Sequence, residues 1–340
     1  ICLASLSITI LGNQISWKKL LFTGIILLAS AMTISFSASS ALIFLFSRVL
    51  YGLGYSCFII SLQLFVISFT KAQERGKIFS HLTSGLFAGS LCSCALGGIC
   101  ADTLGYQAVF KLSSYMLCAY LCLLIYLAYF FKDQKIQQTN LKHNLKLTAL
   151  LSFISKKEII ALLLFQVLPY GAIAIGVFNY FLPVILNKNG FGASAVGQLN
   201  IFYTVIVIFL SPFFGKILDK SLRKYRLLTI GLCISAIAPL CFILPYPILA
   251  CALAMICLGL SSSINESGQP AFISSLPQSS IIGETQSVLI LDLFIRIGQI
   301  LGPILISVSL YMAANSAFIY ISIGCIISAL LFMSIQRKRP

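Results

Sequence analysis

Apolar runs of membrane-crossing length follow one another along this 340-residue chain, and little else about it matters as much for its fold. Split at charged or turn-rich breaks, they are one half-length segment, about 1–13, and ten full ones, about 18–37, 40–69, 77–101, 106–131, 158–187, 193–218, 225–244, 247–270, 282–311 and 313–336. A helix needs about 20 apolar residues to cross the hydrocarbon core of a bilayer. Membrane barrels show alternating segments of about ten residues instead, a pattern missing here. Only 9% of the residues are charged, against about 25% in soluble domains. The sequence therefore predicts an all-α integral membrane protein with the lipid bilayer as its solvent.

Between 132 and 157 the chain turns polar and rich in Lys and Gln, which divides it into a helical group over 1–131, a linker over 132–157, a second group over 158–336 and a basic tail over 337–340. Alternate breaks hold nearly all the cations. Lys18 and Lys19, then Lys71, Arg75 and Lys77, then Lys132, Lys135, Lys142, Lys146, Lys156 and Lys157 lie on one side. Lys216, Lys220, Arg223, Lys224 and Arg226, with Arg337, Lys338 and Arg339, continue that set to 19 of the 23 basic residues. Basic loops stay cytoplasmic during insertion, so the linker and C-terminus are expected inside, in a membrane such as the bacterial inner membrane. The net charge of +15 is then a topology signal and does not call for a nucleic-acid partner. The first segment covers only about 20 Å before Asn13, so the chain is expected to begin partway through a helix.

The 12 cysteines lie almost entirely within apolar runs, where Cys acts as a small hydrophobe. With two histidines, no phosphate-binding glycine loop, no paired carboxylates and no metal-ligand spacing, the sequence offers no enzyme constellation, cofactor site or metal site.

The clearest local motif is Gly215, then Asp219 and Lys220, then Arg223 and Lys224, in a basic break between two apolar runs. Arg48 is followed by Gly52 and Gly54; Glu74, Arg75 and Gly76 precede Gly85, Gly89, Gly97, Gly98 and Gly105; and Asn179, Tyr180 and Pro183, Gly197 and Gln198, and Arg296, Gly298, Gly302 and Pro303 complete the series. In order and spacing this set resembles the major facilitator superfamily. The resemblance implies two helical bundles with about 10.5 of the usual 12 membrane helices present, the first helix and part of the second being absent. It implies a loop-based conformational motif at Gly215, Asp219, Lys220, Arg223 and Lys224, with Gly215 permitting close helix packing. Its first-half counterpart keeps only the basic end, Lys18 and Lys19, with Asn13 in place of the acid and Ser16 in place of the glycine. Ser93 and Cys94 stand where the drug-antiporter subgroup has Gly-Pro.

Such carriers bind solute near mid-membrane and rock around it. Unpaired charges within apolar runs are costly, which singles out a few side chains. Arg48 either lines the pathway or snorkels to the outer surface. Asp292 and Arg296, four apart, share a helix face; they form a permanent structural pair, or Asp292 takes up a proton when Arg296 is drawn away. Glu266 is a gate or a solvated helix-end charge. Gln166, Tyr170, Asn179, Tyr180, Asn200 and Tyr203 are lining candidates or interhelical glue; Gln63 and His81 are weaker ones. The expectation is a secondary carrier for a small-molecule solute, with protons as a candidate coupling partner. The alternative is a membrane-embedded sensor that keeps the transporter fold.

Overall fold

A computed structural model describes residues 17–69, 75–130, 152–221, 223–312 and 314–337. The apolar stretch 1–13, Asn13 and Ser16, Glu74, most of the linker and the end of the basic tail lie outside the described residues, as do the side chains of Gln63 and His81. Ten helices among the described residues are long and apolar enough to cross a membrane. They are α1 (Trp17–Ser37), α2 (Ala41–Phe69), α3 (Arg75–Leu104), α4 (Tyr106–Phe130), α5 (Lys157–Lys188), α6 (Ala193–Lys220), α7 (Lys224–Cys241), α8 (Pro247–Ser274), α9 (Glu284–Met312) and α10 (Ala314–Arg337). Each falls on one of the ten full apolar runs, and the chain is an all-helical integral membrane protein.

Compact clustering gives two units, one holding 1–83 and 100–144, the other 84–99 and 145–340. In the first, α1 packs tightly on α2. Lipid tails are as apolar as leucine, so helices associate in a membrane through close packing at small residues. Gly24 and Gly54 provide this: a Cβ on Gly24 would sit 2.8 Å from the Phe58 amide nitrogen, and one on Gly54 2.9 Å from the Gly24 carbonyl. Hydroxyl pairs add polar ties, with Ser35 2.8 Å from Ser47 and Thr33 2.8 Å from Ser114.

The second unit has a layered interior. One apolar cluster gathers Val177, Phe181, Leu186, Ala250, Met255, Ile306 and Phe318, its Phe181, Phe242 and Phe318 rings meeting at 4.5–5.8 Å. Another gathers Phe153, Ile159, Leu163, Leu228, Phe272, Leu291 and Phe332. Between these clusters α5, α7 and α8 carry polar and small residues, among them Tyr170, Gly171, Gly231, Ser235 and the stretch from Ser261 to Gln269, with the buried Leu232 and Ile264 set among them. The helices approach closely here as well. A Cβ on Gly171 would lie 2.8 Å from the Ile295 carbonyl, one on Gly298 2.5 Å from the Leu168 carbonyl, and one on Gly302 would collide with the Ala172 carbonyl.

Two turns of π-helix, Leu163–Val167 and Gly176–Phe181, interrupt α5. Each is followed by a proline, Pro169 and Pro183, at the start of the next α-helical piece. Proline has no N–H to give and its ring crowds the carbonyl four residues back, so the backbone widens. Pro169 leaves the Phe165 carbonyl without its helical donor, and the Ser328 hydroxyl of α10 donates to that oxygen at 2.9 Å. At its far end α5 stops on Gly190, whose φ of +80° is cheap only for glycine. There Phe191 N–H bonds the Leu186 carbonyl and Gly190 N–H the Asn187 carbonyl, a Schellman stop.

Candidate functional site

The polar layer of the second unit is built mainly on α8, where Ser261, Ser262, Ser263, Asn265, Glu266, Ser267, Gly268 and Gln269 interrupt an otherwise apolar helix. A polar side chain at this depth must find a partner, because hydrocarbon supplies none. On one side the partners form a chain of carboxamides. Gln269 Nε2 donates to Gln166 Oε1 at 3.0 Å, and Gln166 Nε2 to Asn265 Oδ1 at 2.6 Å. Asn265 Nδ2 donates to the Ser261 carbonyl and hydroxyl at 3.0 and 3.1 Å, and the Ser261 hydroxyl donates to the Gly231 carbonyl at 2.7 Å. Gly231 is required here, since a Cβ would lie 2.8 Å from Asn265 Nδ2. The four polar side chains are buried, and the chain of bonds ties α5, α7 and α8 together.

Next to it lies a cluster with a charge. Tyr170 of α5, buried, has its hydroxyl 2.8 Å from Ser262 Oγ and 3.2 Å from Glu266 Oε1. Tyr203 of α6 reaches the same Ser262 oxygen at 3.1 Å, with its ring 4.7 Å from that of Phe178. The Tyr170 hydroxyl has one proton for two acceptors, so its bond to Glu266 competes with its bond to Ser262. Glu266 itself is exposed, eight residues before the end of α8. That is about 12 Å from the helix terminus, and the buried tyrosine fixes its carboxylate from beneath.

The charges of Arg296 and Asp292 on α9 act on Glu266. Asp292 Oδ1 lies 3.4 Å from Arg296 Nη2 across one helical turn, with the side chains 30% and 19% exposed. Arg296 Nη1 also donates to Gln299 Oε1 at 3.2 Å. Arg296 thus pairs with Asp292, and its charge reaches Glu266 through space.

Of the residues expected from the sequence, Tyr170, Tyr203 and Glu266 are linked by hydrogen bonds through Ser262 and the Tyr170 hydroxyl, Gln166 belongs to the neighbouring carboxamide chain, and Asp292 and Arg296 pair with each other on α9. Others lie elsewhere. Asn179 is exposed on the second π-turn, and Tyr180 packs against the apolar cluster around Phe181. Asn200 is buried, 3.9 Å from the Cys94 sulfur, with its Oδ1 unpartnered among the described residues. Asp219 and Lys220 close α6, their side chains outside those described; Arg223 is exposed and Lys224 opens α7. Among the described residues nothing lies within 4 Å of where a Cβ on Gly215 would go. Gly85, Gly89 and Gly97 have the same open space.

Arg48 belongs to the first unit. Its guanidinium bonds Ser35 Oγ through Nη2 and Ser47 Oγ at 3.4 Å through Nε, and lies 4.8, 5.5 and 5.4 Å from the rings of Phe44, Tyr51 and Phe110. Ser262, Ser261, Gln269, Gln299 and Gly231 are the contributors that sequence reasoning missed. The run of polar residues from Ser261 to Gln269, set inside an apolar span, was the signal that pointed to three of them.

The sequence model of the Major Facilitator Superfamily matches residues 1–291. Over 99 residues the chain is 30% identical to the Staphyloferrin B transporter of Staphylococcus aureus (strain NCTC 8325 / PS 47), a stretch covering 29% of this chain and 23% of that protein. The chain thus matches about a quarter of the length of that curated relative. Its fold is similar to the crystal structure of the peptide transporter POT in complex with sulfate, with a TM-score of 0.81 at 13% identity, covering 99% of this chain and 83% of that one. A mutant of the same transporter gives 0.74 at the same identity and coverage.

Proposed function

Since the chain belongs to the Major Facilitator Superfamily, we propose that it is a secondary transporter of a small solute, working by rocker-switch alternating access. The observation that carries this reading is the polar layer between two apolar clusters, with Glu266, Asp292 and Arg296 accessible at its edge. Charged side chains are expensive within a membrane and mark solute or ion pathways. The transporter fold and a transporter among the curated relatives support the same class.

In this reading Glu266, Asp292 and Arg296 form the coupling group, and Tyr170, Tyr203 and Ser262 set the position of the Glu266 carboxylate. Solute or a conformational step that claims Arg296 leaves a carboxylate free to take up a proton, which links solute movement to a proton gradient. The basic breaks support a cytoplasmic linker and C-terminus, as in a bacterial inner membrane.

The test is flux of a solute panel through the full-length protein in liposomes, with and without an imposed pH gradient. Gradient-dependent accumulation supports the proposal. Absence of any flux across the panel, with the protein folded, favours instead a membrane-embedded sensor that keeps the transporter fold, a reading supported by the loss of the acid and glycine in the first-half loop, where Asn13 and Ser16 stand.

A further inference from the structure

We infer that Arg48 anchors a seat for an oxyanion, a phosphate or carboxylate group, at the end of the first unit next to the α1–α2 turn.

Arg48 starts seven residues into α2, about 10 Å from the helix start, yet its contacts lie nearer that end. Ser35 is two residues from the end of α1, Phe44 is one turn back toward the start of α2, and Phe110 is in the first turns of α4. The side chain therefore runs toward the end of the unit, and its head is fixed there from several sides. Two serines take Nε and Nη2, and three aromatic rings surround the guanidinium. Ser35 is itself held by bonds to the Ala31 carbonyl at 2.7 Å and to Ser47. Little freedom remains to be lost when something binds, which is the condition for a preorganised site.

The head is nonetheless incompletely satisfied. Among the described residues Nη1 has no hydrogen-bond partner, and no carboxylate pairs with Arg48. Neutral hydroxyls and ring faces do not cancel a full positive charge, which cannot be shed because guanidinium stays protonated. Residues 41–46 at the start of α2 are exposed, Phe44 among them, whereas Ser47 is buried and Arg48 half-buried; one turn further on, the rings of Tyr51 and Tyr55 stack at 6.2 Å.

A second cation lies at the same end of the unit. Lys111 follows Phe110 on α4 and lies 5.7 Å from the ring of Phe36, the residue after Ser35. It is exposed and, like Arg48, has no carboxylate partner among the described residues. Two unneutralised cations reach the same end of one helical unit through adjacent residues. A planar guanidinium with an open N–H edge suits an oxyanion, and an ammonium at the same end of the unit adds field without geometry. Such a group could come from a lipid headgroup or from a dissolved solute.

The full-length protein is reconstituted in nanodiscs of phosphatidylcholine alone or with phosphatidylglycerol, and its melting is followed with a thiol-reactive dye that reads exposure of buried Cys57, Cys251 and Cys325. Inorganic phosphate and citrate are titrated against chloride at matched ionic strength. The expected result is saturable stabilisation by an oxyanion that Arg48→Gln weakens about tenfold or more, that Arg48→Lys restores in part, and that Lys111→Gln weakens a few-fold. A response to phosphate or citrate in neutral nanodiscs identifies a dissolved ligand; a response to phosphatidylglycerol alone identifies a lipid headgroup. Stabilisation unchanged by Arg48→Gln and by Lys111→Gln, or no stabilisation by any of these anions, overturns the seat. Solute flux is read separately, so a failed seat leaves the transport proposal standing, and the reverse.

Discussion

The hydroxyl of Ser328 on α10 caps the carbonyl of Phe165 on α5, the oxygen that Pro169 deprives of its helical partner. This bond lies one residue from Gln166, the hub of the buried carboxamide chain. It therefore fixes both the widened turn and the register of the residues that follow. Ser328→Ala is expected to lower stability by about 1–3 kcal/mol, the cost of an unpaired buried acceptor, whereas Ser328→Thr keeps the donor. Thermal unfolding in detergent distinguishes the two, and equal melting temperatures would refute the account.

Gln166 bonds both Asn265 and Gln269, so Gln166→Leu strands an acceptor on one and a donor on the other. Removing one member of a satisfied buried network costs more than a single bond; a loss of about 2–4 kcal/mol is expected. Gln166→Glu, which retains acceptor oxygens but loses the donor amide, should be no better tolerated.

Glycine contacts give a paired prediction. Gly302→Ala drives a methyl into the Ala172 carbonyl, and the helices must part, at about 1–3 kcal/mol. Gly85→Ala meets nothing within 4 Å among the described residues and should stay within about 0.5 kcal/mol of the parent. A stable Gly302→Ala protein would show that α5 and α9 are not packed as described.

Tyr170→Phe removes the hydroxyl that reaches Glu266 while leaving the ring's packing. If Glu266 works in transport, flux falls about tenfold or more, the worth of a hydrogen bond to a charged group, while melting changes little. Tyr203→Phe, which touches Ser262 but is not bonded to Glu266, should cost less. Equal losses from the two would mean that Ser262, shared by both, is the group that matters.

Asp292→Asn is expected to abolish accumulation driven by a pH gradient and to spare solute exchange, since exchange needs no net proton movement. Accumulation that persists undiminished removes Asp292 from the coupling proposal and leaves its bond to Arg296 as a structural tie.

Much of this was legible along the chain. Each of the ten membrane-length helices coincides with an apolar run, because insertion in lipid depends on local transfer energies that a sequence displays directly. The family pattern was legible for a similar reason: Gly54, Gly298 and Gly302 sit where backbones touch, at spacings a helix preserves. The site was legible only in part. Asp292 and Arg296, four apart on one helix, could be paired from sequence alone, and Gln166, Tyr170, Tyr203 and Glu266 stood out as polar residues in apolar runs.

What the sequence by itself determined is which segments cross the membrane and which side chains are too polar for lipid. Only the tertiary structure decided which of those side chains meet. A π-turn adds a residue and rotates everything beyond it, so whether Gln166, Tyr170 or Asn179 faces a neighbour depends on two widened turns in α5. Ser262 was anonymous until α5 and α6 brought a tyrosine each to its oxygen. Composition is a local property, but partnership in a bundle depends on the rotation and approach of helices far apart in the chain.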